Sequence, residues 1–301
     1  MSIKKFYDSV FASKLGTYIQ LFIDAKRSSG SPYNSPRLIL HHFDLFVAER
    51  FPNAVTVTKE IIETWLEIGK KYSIGTQHKR FTPINQLSLF MIKQGIDCYF
   101  IDYPVIGKEI KYQPHLFTDK EKVALFKAID EYSAKLAKAP IKRLIFPTIF
   151  RLIYCCGLRN SEARNLKCED VNLEVGKLII RESKAHKERI VMLHPDVQKM
   201  LTEYDERVSV LRPNRDYFFP NELIFDRQIS DDTLWRAFRF VWDGLPEAQI
   251  TPLPKARIHD LRHAAALDII RNWVSVGKNL NALYPYLSSY LGHVSYTETD
   301  Y

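Results

Sequence analysis

Four short runs in this sequence carry side chains suited to phosphate chemistry. In Arg257-Ile258-His259-Asp260-Leu261-Arg262-His263-Ala264, His259 and Arg262 lie three apart at the opening of an apolar, helix-like stretch, which places both on one helix face. An imidazole can take or give a proton near neutrality, and a guanidinium offers a planar fork to phosphate oxygens. The same pair also suits a solvated helix start. In Gly157-Leu158-Arg159-Asn160-Ser161-Glu162-Ala163, Gly157 is a stop for one helix and Asn160 or Ser161 a cap for the next. Arg159 then precedes a helix N-terminus with unsatisfied N–H groups, an anion site, and Glu162 is placed to hold its guanidinium by a forked pair. A structural Arg–Glu pair at a helix cap accounts for these residues equally. Lys184 and Lys187 fall in a predicted hairpin tip, where lysines often serve only solubility. Leu291-Gly292-His293 closes a helix, with Tyr296 and Tyr301 following.

The elements that must position these residues fall into two groups. From Phe11 to about Cys98 the apolar spacing is helical. One helix holds Leu15, Tyr18, Ile19, Phe22 and Ile23, and a second runs from Arg37 to Phe51 behind Asn34-Ser35-Pro36. A third carries Ile61, Ile62, Trp65 and Ile68 behind Thr58, and a fourth opens at Thr82-Pro83. The stretch 106–117 lacks periodicity and reads as an extended connector. Thr118 with Glu121 then makes a capping box, and helices follow at Leu125 to Leu136 and Phe146 to Cys155. Beyond Val171 the pattern alternates, predicting strands at Leu173–Val175, Lys177–Arg181 and Glu188–Leu193. Helices return at Pro195–Tyr204, at Thr233–Val241 with Asp231-Asp232 as cap, and at Leu283–Leu291. The fold class is therefore mainly α with a small antiparallel β-sheet.

Composition narrows the function classes. The 301 residues hold 43 Lys+Arg against 35 Asp+Glu, a net charge of +8, with a pI near 9.1. That balance suits a polyanionic partner. Residues 1–114 carry 15 of the cations against 10 acids, so the surplus is denser there. Within them, Lys70-Lys71-Tyr72-Ser73-Ile74-Gly75-Thr76-Gln77-His78-Lys79-Arg80 mixes cations and hydroxyls, the side chains that contact phosphates. Lys70, Lys71, Lys79 and Arg80 are the DNA-binding candidates, although a charge run also serves as a solvated face. The four cysteines form no C-x-x-C pair, so reduced thiols in a cytosolic setting are expected. Neither a signal peptide nor a run of about 18 apolar residues is evident, which argues against a membrane span. His259 and His263 have the i, i+4 spacing of zinc ligands, but Arg262 stands between them and no Glu adjoins the first; no metal is expected.

Taken in order, Gly-Leu-Arg159-x-x-Glu162, a hairpin Lys184, His259-x-x-Arg262 and Leu-Gly-His293 followed by a tyrosine resemble the tyrosine recombinases, or phage integrases. The Tyr-Leu-Ser-Ser-Tyr-Leu-Gly-His run is similar to integrases of mobile elements. The resemblance covers residues 118–301 as the catalytic domain. Residues 8–100 are similar in kind to the family's core-binding domain. It implies a helical, SAM-like core-binding domain at 1–105, a linker at 106–117 and a catalytic domain at 118–301, closing as a clamp on DNA. It implies a site-specific recombinase that integrates or excises a mobile element through a 3′-phosphotyrosyl intermediate. Arg159 and Arg262 would meet the scissile phosphate, with Glu162 orienting Arg159. Lys184 would protonate the leaving 5′ oxygen, His259 and His293 would donate hydrogen bonds or move protons, and a tyrosine would attack.

Tyr301 is the candidate nucleophile, with Tyr296 expected to pack. The family's nucleophile usually lies one residue further beyond the Gly-His histidine, and its members continue into a helix that docks on a neighbouring subunit. A truncated integrase with its nucleophile just past residue 301 is therefore one alternative, and a relative that binds DNA without cutting is another. A type IB topoisomerase shares the chemistry; the helical first module favours a recombinase. The partners implied are double-stranded DNA and a homo-tetramer on paired sites, monomer or dimer without DNA, in the cytoplasm at the nucleoid. No cofactor is implied, because the phosphotyrosyl link conserves the energy of the broken phosphodiester.

Overall fold

A computed structural model describes residues 11–102, 106–108, 112–181, 188–250 and 255–292, with side chains of 249 and 250 left aside. The chain divides into two compact units, Met1–Lys111 and Tyr112–Tyr301.

Among the described residues the first unit is built on four helices: α1 (Gly16–Ser28), α2 (Asn34–Arg50), α3 (Lys59–Gly69) and α4 (Ile74–Lys93). Leu15, Ile19 and Ile23 of the first, Leu40, Phe43 and Val47 of the second, Ile61 and Ile62 of the third and Ile84, Leu87 and Met91 of the fourth form one apolar core. Trp65 lies at its centre, edge-on to Phe43 with ring centroids 5.4 Å apart. Such aromatic contacts add to simple area burial. Thr58 caps α3 through the Ile61 N–H, as its residue type predicts.

The fourth helix does not begin at Thr82-Pro83. It starts eight positions earlier, capped by Ser73 through the Thr76 N–H, and runs through Pro83. Proline interrupts the backbone ladder by leaving the carbonyl four residues back, that of Lys79, without its donor, and two side chains bond the carbonyls on either side of it. Thr82 Oγ1 donates to the His78 carbonyl at 2.8 Å, and the Trp65 indole donates to the Arg80 carbonyl at 3.3 Å. Lys79 and Arg80 are therefore helical.

The second unit is mostly helical around the three-stranded antiparallel sheet predicted. Its elements among the described residues are α5 (Asp119–Ala134), α6 (Pro140–Cys156), the short α7 (Asn160–Arg164), β1 (Val171–Asn172), β2 (Lys177–Ile180), β3 (Arg189–Met192), α8 (Pro195–Leu211), α9 (Asp231–Asp243), α10 (Pro246–Ile250), α11 (Ile258–Ser275) and α12 (Leu280–Leu291). The Thr118–Glu121 capping box is present in both directions, with Glu121 accepting from the Thr118 N–H at 2.7 Å. The first strand lies two residues before its predicted start, because residues 173–176 form the turn that Gly176 completes at φ 69°. Strand order is β1-β2-β3, with Val171 opposite Leu178 and Ile180 opposite Arg189. Ser230, rather than the aspartates after it, caps α9. Helix α6 is buried along most of its length, Ile145, Ile149, Leu152 and Ile153 being closed to solvent. Its C-terminus is consequently held firmly, and the site is built there.

The stretch read as a connector belongs in part to this unit. His115 and Phe117 are buried against Trp242. Tyr112 lies under the Arg257 guanidinium and donates its hydroxyl to Asp260 at 2.6 Å. An extended chain without periodicity still packs when its aromatic residues meet a groove.

Candidate active site

Two helices stop beside each other, each at a glycine with positive φ: α6 at Gly157 (60°) and α12 at Gly292 (68°). Only glycine adopts this conformation without a Cβ penalty. At Gly157 a Cβ would also meet Leu291 Cδ2 at 2.7 Å. A helix C-terminus leaves carbonyls without intrahelical partners and carries partial negative charge. Here the last two residues of α12 and its cap supply three consecutive acceptors. The Tyr290 carbonyl accepts from Arg189 Nε at 2.9 Å, Leu291 from Arg262 Nη2 at 2.5 Å, and Gly292 from Arg159 Nη2 at 2.7 Å. Arg262 Nη1 also donates to the Gly157 carbonyl at 2.7 Å. Three guanidiniums distant in sequence are thereby gathered at one helix end.

Glu162 is their common counter-ion. Its side chain is 3% exposed and receives Arg159 Nη1 at 2.7 Å, with Arg262 Nη1 3.8 Å away. The forked pair expected of Arg159 is made instead by Arg189, whose Nη1 and Nη2 reach the two carboxylate oxygens at 2.9 and 2.8 Å. Arg159 is itself the N-cap of α7, in place of Asn160 or Ser161, and its backbone N–H bonds Glu162 at 2.8 Å. Burial pushes the Glu162 carboxyl upward in pKa, but Arg189 and then Arg159 overrule it and hold the group at about 2. Three guanidiniums facing one carboxylate leave the cluster with a positive surplus that suits an incoming anion. Of the five N–H donors on the Arg159 guanidinium, two are engaged among the described residues, and the side chain is 15% exposed. Arg262, 2% exposed, is held more deeply.

Helix α11 delivers Arg262 inward while His259 stays exposed. The helix opens with Asp260, fully buried, accepting the Arg257 N–H at 2.8 Å and the Tyr112 hydroxyl. This reciprocal cap fixes the first turn and with it the directions of both flanking side chains. The His259 ring stands edge-on to His263 at 4.9 Å. Burial, then the neighbouring His259, lowers the His263 pKa to about 4, so His263 is neutral at physiological pH. Among the described residues no group of three or more possible metal-binding side chains is present.

The structure thus brings Arg159, Glu162 and Arg262 together and places His259 on the helix that carries Arg262. Lys184, Lys187, His293, Tyr296 and Tyr301 lie outside the described residues. The four cations assigned to DNA differ in their surroundings. Lys71 and Lys79 are exposed, and Lys70 is ion-paired with Glu67. Arg80 is stacked on Trp65 at 4.1 Å and Tyr72 at 4.9 Å. Sequence reasoning missed Arg189. Its signal was there in the strand: Arg189 shares the inward face with buried Val191, whereas Ile190 and Met192 point outward, 59% and 57% exposed. A charged residue in the buried register of a strand whose outer positions are apolar needs a partner inside.

Comparison with known proteins identifies the family. Residues 116–300 match the phage integrase family. The chain is similar to the probable integrase/recombinase protein MJ0367 of Methanocaldococcus jannaschii, 31% identical over 95% of this chain and 85% of the relative. It is also similar to the tyrosine recombinase XerA of Pyrococcus horikoshii, 26% identical over 89% and 82%. The fold is similar to that of the XerH site-specific recombinase solved with its difH substrate (TM-score 0.64, 20% identity, 94% of this chain and 80% of that one). A lambda integrase tetramer solved on a Holliday junction is similar at TM-score 0.61, with 16% identity over 94% and 78%. With the arginine cluster at the junction of α6, α7 and α12 and a family match over residues 116–300, the chain belongs to the phage integrase family, the tyrosine recombinases.

Proposed function

We propose that this protein cuts and rejoins duplex DNA at specific sites through a 3′-phosphotyrosyl intermediate, integrating or excising a mobile element. The observation that carries the reading is the convergence of Arg159 and Arg262 on Glu162 and on adjacent carbonyls of one helix end. In this scheme a tyrosine hydroxyl, that of Tyr301, attacks the scissile phosphorus. The P–O5′ bond breaks as the P–O(Tyr) bond forms. Arg159 and Arg262 face the non-bridging oxygens, where charge grows in the transition state. Lys184 passes a proton to the departing 5′ oxygen. His259 and His293 donate hydrogen bonds or receive the tyrosine proton. Water is excluded as nucleophile, so bond energy is retained for rejoining, and the scheme calls for no cofactor. The first unit is the core-binding domain and the second the catalytic one, acting as a tetramer on paired sites in the nucleoid.

The test is a duplex carrying a nick next to the scissile phosphate, so that the freed fragment diffuses away and the adduct accumulates. A covalent protein–DNA band, with Tyr301 modified in peptide mass spectrometry, is the expected result. DNA bound without any adduct would instead favour a relative that binds DNA without cutting it.

The exposed cations make a separate prediction. Each phosphate contact released lowers the slope of log K against log salt by about 0.9. The Lys71→Ala, Lys79→Ala double variant is expected to flatten that slope by roughly 2 with the melting temperature unchanged. Arg80→Ala is expected to do the opposite, lowering the first unit's stability by about 1–2 kcal/mol through loss of its cation–π stack and altering the slope less. Salt titration by fluorescence anisotropy, paired with thermal unfolding, distinguishes them.

A further inference from the structure

Arg189 makes a set of contacts that no assigned role explains. It opens β3, five residues after Lys184 in sequence. Its guanidinium spans both oxygens of Glu162 at 2.9 and 2.8 Å, and its Nε donates to the Tyr290 carbonyl at 2.9 Å. The side chain is 10% exposed. Gly292 comes so close that a Cβ there would lie 2.9 Å from Arg189 Nη1. One residue therefore ties the hairpin strand to the carboxylate that holds Arg159 and to the helix end that precedes His293.

Resting on the recombinase reading above, we infer that Arg189 is a positioning residue for strand cleavage: it orients Glu162, and through it Arg159, while locking the hairpin base against the end of α12. The geometry makes the role specific to a guanidinium. A lysine ammonium keeps the charge, but as a point donor it cannot bridge two carboxylate oxygens and a carbonyl in one plane. Without the bridge Glu162 keeps its bonds to the Arg159 backbone N–H at 2.8 Å and to Nη1 at 2.7 Å, but loses the fork that fixes the plane of its carboxylate, and Arg159 shifts with it away from the phosphate. Misplacement of about 1 Å at a reacting centre costs on the order of a hundredfold in rate.

The test uses the full chain and nicked suicide duplexes of one sequence, either with the natural scissile phosphate or with a methylphosphonate there. The methylphosphonate lacks the non-bridging charge that Arg159 meets. Arg189→Lys is expected to bind DNA within about threefold of wild type and to form the adduct roughly 30- to 100-fold more slowly on the phosphate. On the methylphosphonate the deficit should shrink to within about threefold. Equal deficits on both substrates would mean a general structural role, and an unchanged rate on the phosphate would mean none; either overturns the inference. Arg189→Gln, neutral and similar in length, serves if the lysine variant does not fold. Its deficit should likewise be larger on the phosphate, and equal deficits overturn the inference in the same way. Absence of an adduct with the wild-type protein would strike the recombinase reading itself, a result visible before any variant is compared.

Discussion

Replacing Arg159 by alanine is expected to slow single-turnover adduct formation by about 10²–10³-fold, the usual loss for one preorganised donor facing transition-state charge. DNA affinity should change by less than about tenfold, because one phosphate contact among many is removed. Arg159 is the cleaner of the two arginines to test. It is 15% exposed, and Glu162 keeps the Arg189 fork when it is gone. Arg262 differs: alanine there would strip donors from the buried Gly157 and Leu291 carbonyls, at about 1–3 kcal/mol for each group left unsatisfied. The sequence alone treats the two as equivalent; burial separates them. Arg159→Lys, which keeps charge without the fork, should recover only a small part of the rate. Cleavage by Arg159→Ala at the wild-type rate would remove this residue from the site.

The second large effect concerns stability. Glu162→Gln exchanges a buried carboxylate for an amide that turns a donor toward guanidiniums. Loss of one partner from a buried charge cluster costs about 3–5 kcal/mol. The effect carries a pH signature of definite sign. Glu162 falls from an ordinary 4.5 to about 2 in the folded chain. A depressed carboxylate stabilises above its unfolded pKa, and that stability is lost as pH falls toward the folded value. The shift corresponds to roughly 3 kcal/mol at neutral pH. Wild type and Glu162→Gln should therefore differ most at pH 6–7 and converge between about pH 4.5 and 2. Denaturant unfolding across that range measures it. A difference that stays constant with pH would show that Glu162 is not ionised against the arginines.

His263 works on the same acid limb with a different mechanism. Its pKa is lowered to about 4, so the unfolded chain binds a proton that the folded chain refuses. Stability falls as pH drops from the usual histidine value to about 4 and then levels. The Glu162 comparison therefore needs His263 present in both proteins, as it is.

Local pairs were the legible part of this protein. Thr118 with Glu121, Arg159 with Glu162, the helix stop at Gly157 and the alternation of β2 and β3 all follow from spacings of two to four residues, over which backbone geometry fixes what can touch. The same rules misplaced the start of α4, since proline commonly opens a helix and Pro83 lies inside this one. They also gave Arg159 a fork that belongs to Arg189.

By itself the sequence determined which residue types were available and in what order: an arginine with its glutamate, a lysine between two alternating stretches, a histidine–arginine helix start and a Gly-His at a helix stop. Only the tertiary structure decided that Arg262 reaches the Gly157 carbonyl across 105 residues and Arg159 the Gly292 carbonyl across 133. It alone decided that Arg189 joins them and that Arg80 stacks on Trp65. The physical reason is that contacts of this range are set by how helix ends meet when their apolar faces are buried. No repeat or spacing along the chain encodes where those ends will lie.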